Sequence, residues 1–93
     1  MGTRYTKEYL RSIRNTINID LLIKENLNMT YKYADGYLRF ICPHCRDYHT
    51  ATMAETNLAR CFRCKSNFNT IDLVMLVNGF SFRKAVEYLD NLL

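Results

Sequence analysis

Four cysteines carry the most specific chemistry in this 93-residue sequence. They stand as two pairs, Cys42-Pro43-His44-Cys45 and Cys61-Phe62-Arg63-Cys64, fifteen residues apart, a spacing that zinc sites use. Two thiolates three positions apart can point at one ion from a tight turn. Two such turns complete a tetrahedron with metal–sulfur bonds of about 2.3 Å. Four protein ligands leave no position for water or substrate, so the metal expected here is structural. Its binding free energy, of order 10–16 kcal/mol in zinc-finger peptides, becomes folding free energy. A domain of this size buries only a little over about 60% of its unfolded surface and needs such help.

Other uses of the cysteines fit less well. Disulfides belong to oxidising compartments, and residues 1–7 lack the apolar core and cleavage site of a secretory signal, which points to the cytoplasm. A redox C-x-x-C normally stands alone beside a βαβ unit. Iron in a four-sulfur site would use the same ligands, and zinc is the expected ion. His44 and His49 are further nitrogen donors, but the cysteines already satisfy one ion, which leaves both histidines at the surface or supporting the ligands.

The elements that must position these thiolates follow from local signals, and the fold expected is a single α+β domain over 1–93. Residues 6–27 read as two helices. Thr6 caps the first, whose Tyr9, Leu10, Ile13 and Ile17 recur at helical spacing; after a break near 15–18, Asn18 caps a second with Ile19, Leu22 and Ile23 in a stripe. Residues 28–66 read as the sheet. Leu27, Met29, Tyr31 and Tyr33 alternate with polar residues, Ala34-Asp35-Gly36 turns the chain into 37–41, and 49–54 and 58–62 form a second hairpin. Residues 69–93 return to two helices: Asn69 or Thr70 caps the first, Gly79 ends it, and Ser81 caps the second. Phe82, Val86, Leu89 and Leu93 then form a stripe expected to pack on the sheet.

Composition narrows the partners. The longest apolar run, 73–77, has five members, too few to span a bilayer. The formal net charge is +4, and four thiolates with one Zn²⁺ bring it nearer to about +2, which favours an anionic partner only mildly. Arg46, Arg63 and Lys65 flank the cysteines and offset that local negative charge. Arg4, Lys7, Arg11 and Arg14 concentrate charge near the N-terminus, where a solvated helix face is the commoner meaning. Gly2 and Thr6 fit the loose N-myristoylation pattern, which chance often supplies.

Basic and aromatic residues interleave on the expected strands. Alternation puts Tyr37, Arg39 and Ile41 on one face, and Leu58, Arg60 and Phe62 on one face of a later strand. If Arg39 and Arg60 share a side, with Lys32, Lys65 and Arg63 at the rims, they form a cationic track for phosphates, with Tyr37 and Phe62 as stacking platforms for single-stranded DNA. The competing assignment places both aromatics in the core.

From Lys7 onward the sequence resembles the zinc-binding domain of bacterial DnaG-type primases, the Cys-His-Cys-Cys zinc ribbon. The carrying residues are Tyr37-Leu38-Arg39-Phe40-Ile41-Cys42-Pro43, Arg60-Cys61-Phe62-Arg63-Cys64, Ile71-Asp72-Leu73-Val74-Met75, Asn78-Gly79-Phe80-Ser81-Phe82 and Ala85-Val86-Glu87-Tyr88-Leu89. Cys45 stands at the family's histidine. Arg46-Asp47-Tyr48-His49-Thr50 replaces its Lys-Thr-Pro-Ser-Phe stretch, and Arg63, Lys65 and Asn67 replace glycines. The resemblance implies a non-catalytic module that binds template single-stranded DNA and assists a separate primase or DNA polymerase subunit in primer synthesis during replication; a free-standing module of this kind is expected of a phage, plasmid or other mobile element. The alternative from another class is a protein-interaction zinc ribbon whose exposed tyrosines and helices dock a replication or transcription partner without direct DNA readout.

Overall fold

A computed structural model describes residues 5–93; Gly2 and Arg4 lie outside the described residues. Helix α1 spans Lys7–Thr16. Its Thr6 cap accepts from the Tyr9 amide at 3.0 Å, and Ile13 is its buried residue. The chain extends at Ile17, and Asn18 caps α2, Ile19–Leu21, accepting from the amides of Asp20 and Leu21. Helix α2 runs into one wide turn, Leu22–Asn26, closed by a 2.8 Å bond from the Leu27 amide to the Leu22 carbonyl. This five-residue span is a π-helical turn. Ile19, Leu22, Ile23 and Leu27 all reach the core, so Leu27 closes the helical block expected over 6–27, and the strand whose alternation was read from Leu27 and Met29 starts only at Tyr31.

Five strands follow in simple meander order: β1 Tyr31–Ala34, β2 Tyr37–Phe40, β3 Thr50–Met53, β4 Leu58–Cys61 and β5 Ser66–Phe68, all antiparallel to their neighbours. Residues 66–68 form a strand that alternation did not reveal, because three residues are too few to show a period. Directly opposite residues of antiparallel strands share a face. The inner face carries Leu38, Phe40, Ala59, Cys61 and Phe68, with Thr50 and Thr52. The buried Thr50 hydroxyl donates to the Phe40 carbonyl, so its polarity is satisfied.

Helix α3, Thr70–Asn78, begins with a capping box in which Asn69 accepts from the Asp72 amide and the Asp72 carboxylate accepts from the Asn69 amide. Gly79 ends it at φ +67, a conformation that costs other residues energy. Ser81 caps α4, Phe82–Asp90. Helix α4 packs chiefly on α3 and α1, not on the sheet as its stripe suggested, and it is α3 that meets β5. Its buried residues are Ala85, Val86 and Leu89; Phe82 lies at the helix mouth and Leu93 beyond its last turn, both exposed. The small Ala85 side chain allows this close helix contact, whereas the expected stripe weighted side-chain size.

Candidate metal centre and the sheet face beside it

The first cysteine pair follows β2 and the second follows from the end of β4, so the meander brings two turns to one end of the sheet. In the first, the Cys42 amide donates to the Asp47 carbonyl at 3.0 Å and the Arg46 amide to the Cys42 carbonyl at 2.9 Å. The His44 amide points at Cys42 Sγ at 3.4 Å, and in the second turn the Cys64 amide points at Cys61 Sγ at 3.3 Å. Amides aimed at sulfur favour thiolate. Arg46 and Lys65, each directly after a pair, adopt φ +60 and +57, closing both turns in the left-handed conformation where glycine is easiest.

The four sulfurs lie within 4.8 Å of one another. Cys42 and Cys64 are 3.8 Å apart, Cys45 and Cys61 3.6 Å. A tetrahedron with bonds of about 2.3 Å has edges of about 3.8 Å, so these contacts across the turns have the spacing of a zinc tetrahedron. They are far beyond the roughly 2.05 Å of a disulfide. Cys42 and Cys61 are buried, while Cys45 and Cys64 are half-buried. Left to themselves, four thiols this close compete for charge. Burial opposes ionisation of Cys61, but the Cys64 amide and the neighbouring thiols outweigh it and bring it down to about 7. Burial and the same neighbours push Cys64 up to about 12, and burial raises Cys42. A divalent cation lets all four carry charge together.

Neither histidine joins this cluster, which is the one group of three or more potential ligands among the described residues. The exposed His44 ring lies 5.7 Å from the Phe68 ring, and His49 Nε2 lies 3.3 Å from Asp47 Oδ2. Asp47 also accepts from Arg63 at 2.9 Å, tying the second turn to the loop after the first. The Tyr48 amide, then His49 and Arg63, hold the Asp47 carboxyl below its ordinary value.

On the outer face of the sheet, register joins Lys32, Arg39, Ala51, Arg60 and Asn67 in one row across all five strands. Arg39 and Arg60 therefore do share a side, separated only by the small Ala51. Tyr37 lies two residues before Arg39 on β2, on the same side, whereas β4 stops at Cys61, one residue short of the strand expected, so Phe62 opens the second cysteine turn, its amide donating to the His49 carbonyl at 2.8 Å. Tyr37 and Phe62 are 51% and 57% exposed, so neither belongs to the core. Lys32 stands at one rim, Lys65 at the end of the second cysteine turn, and Arg63 is engaged with Asp47. Sequence reading missed Tyr48, whose ring lies 4.5 Å from the Lys32 ammonium; it sits in a loop without periodicity, so no pattern could place it.

A sheet whose two turns deliver four thiolates to one point is a zinc ribbon, and the sulfur geometry fits one structural zinc. The chain belongs to the CHC2 zinc finger family, whose model matches residues 5–93. It is 26% identical over 91 residues to the DNA primase of Streptomyces coelicolor, an alignment covering 96% of this chain and 14% of that protein. Cys42, Cys45, Cys61 and Cys64 would hold the zinc, with Cys45 standing where the resemblance puts a histidine. Among the described residues, no helix is long and apolar enough to cross a membrane.

Proposed function

We propose that this zinc ribbon binds template single-stranded DNA on its outer sheet face and assists a separate primase or DNA polymerase in starting primers during replication of a mobile element. The cross-strand row carries the reading: Lys32, Arg39 and Arg60 in register, with exposed Tyr37 and Phe62 beyond the two arginines. Arginines that track phosphates and rings that stack bases make a sequence-tolerant platform. Similarity to a primase supports the assignment of the partner machinery.

The module contributes position. Arg39 and Arg60 would hold the template backbone while the partner holds the initiating nucleotides, which lowers the entropy cost of assembling the first dinucleotide. The zinc stiffens the sheet that carries these side chains, and its four protein ligands leave no open coordination position. Catalysis is accordingly assigned to the partner. Tyr31 and Tyr33, 41% and 63% exposed on edge strand β1, favour a protein-docking role as the second reading.

Anisotropy titration of zinc-loaded protein with labelled single-stranded DNA at two salt concentrations separates the two. Binding that weakens with salt is expected, and Arg39→Glu with Arg60→Glu should flatten the salt slope by about 1.4, or about 0.7 per phosphate contact. Unchanged affinity and slope in that variant would overturn the DNA reading and leave the docking one.

A further inference from the structure

Each cation of the outer row is held by a neighbouring side chain. The Lys32 ammonium lies over the Tyr48 ring, Arg60 donates to Asn67 Oδ1 at 3.1 Å, and Arg39 Nη2 stands 3.7 Å from Asp35 Oδ2. Two of these holders are uncharged and fix position without subtracting charge from the face. Asp35 alone is an anion.

Asp35 sits at φ +55 in the β1–β2 turn, followed by Gly36 at φ +81. Two successive positive φ values mark a hairpin turn that favours Asn-Gly or Asp-Gly. The turn therefore accounts for a short polar side chain at position 35, but asparagine would serve it equally, so the charge needs another explanation. That charge is paired with Arg39 and with no other cation among the described residues. Arg39 is also the arginine with an idle donor: its Nε is shielded from solvent and has no acceptor. The Asp35 side chain is 84% exposed and that of Arg39 24%; the pair is open to water on the carboxylate side and, at 3.7 Å, is longer than a hydrogen bond, so a phosphate held by several cations at once can displace the carboxylate.

We infer that Asp35 is an internal competitor for Arg39, occupying the guanidinium when the face is free and giving way to phosphate when the strand binds. It keeps the affinity of the face below what its cations alone would supply, and so favours release of the template. The inference rests on the single-strand reading of the outer face.

The test is an anisotropy titration of zinc-loaded wild type, Asp35→Asn, Arg39→Gln and the double variant with labelled oligothymidylate at low and high salt. Asp35→Asn is expected to bind about two- to five-fold tighter at low salt, with a salt slope steeper by up to about 0.7. The gain is expected to vanish in the Arg39→Gln background. Equal affinity of wild type and Asp35→Asn overturns the inference while the platform reading stands, and so does a gain that survives in Arg39→Gln, since it would be an effect of net charge. Absence of binding by both wild type and Asp35→Asn overturns the platform reading and the inference with it. Equal zinc content and melting temperature across the set verify that the turn is preserved.

Discussion

The Asn57 carboxamide accepts from the Ile19 backbone amide at 2.8 Å. The same group donates to the carbonyls of Arg14 and Ile17, both at 2.7 Å, so one side chain in the β3–β4 turn satisfies the end of α1 and the start of α2. Asn57 itself adopts φ +55. Asn57→Gly keeps that backbone conformation and removes all three bonds. It is expected to cost about 2–4 kcal/mol, since each lost bond is worth about 1 kcal/mol and partly buried groups are left unpaired. Thermal denaturation of the zinc-loaded protein checks this, with Asn57→Ala expected to be lower still because of backbone strain.

Zinc is part of the fold. Chelation is expected to unfold the sheet, seen as loss of strand signal in circular dichroism, and Cys61→Ser to abolish stoichiometric zinc. Cys45→His, which restores the family's ligand set, should retain one zinc per chain.

Zinc binding should also release protons. At pH 7 the thiols of Cys42 and Cys64, both raised, are protonated before the ion arrives, while Cys61, at about 7, is partly ionised. At least the first two protons are therefore expelled, and affinity falls as pH falls because protons compete for the same sulfurs. Calorimetry in buffers of differing ionisation enthalpy measures the count.

Lys65 occupies a left-handed position after the second cysteine pair. Lys65→Gly removes a conformational cost of about 1–2 kcal/mol and adds unfolded-state entropy of about 0.5–1 kcal/mol. A net gain of about 0.5–1 kcal/mol is expected in denaturant titration of the zinc-loaded protein. Loss of the charge would be read separately in DNA binding.

Phe62 and Tyr37 are more than half exposed, so Phe62→Ala and Tyr37→Ala should leave the melting temperature nearly unchanged. If each stacks one base, each should weaken single-strand affinity by about 1–3 kcal/mol. Parallel melting and anisotropy measurements separate platform from scaffold.

The features legible in the sequence are those encoded within a few residues. The cysteine spacing, the caps Thr6, Asn18, Asn69 and Ser81, the Gly79 stop and the Asp35-Gly36 turn all act locally, and each stands where expected. Alternation also put Arg39 with Tyr37 on one strand face, whereas Phe62, expected on the face of Arg60, lies beyond the end of β4, and only register could join Arg39 to Arg60 through Ala51. The rest depends on distant partners. Strand β5 is specified by pairing with β4 rather than by its own composition. The buried face of α4 is chosen by α1 and α3, which favour Ala85 over Phe82. Asn57 looks like an ordinary turn residue until the helices some forty positions earlier are brought against it.

The packing of α4 on α1 has a consequence for the order of events during synthesis. Helix α1 is made first, yet its partners α3 and α4 emerge only after Cys64 has completed the ligand set. The ligand set for the metal is therefore complete along the chain before either helical partner of α1 begins. The two cysteine turns meet across 22 residues and α1 meets the start of α3 across 56, so the metal site closes at the lower cost in chain entropy and the first helix is covered last.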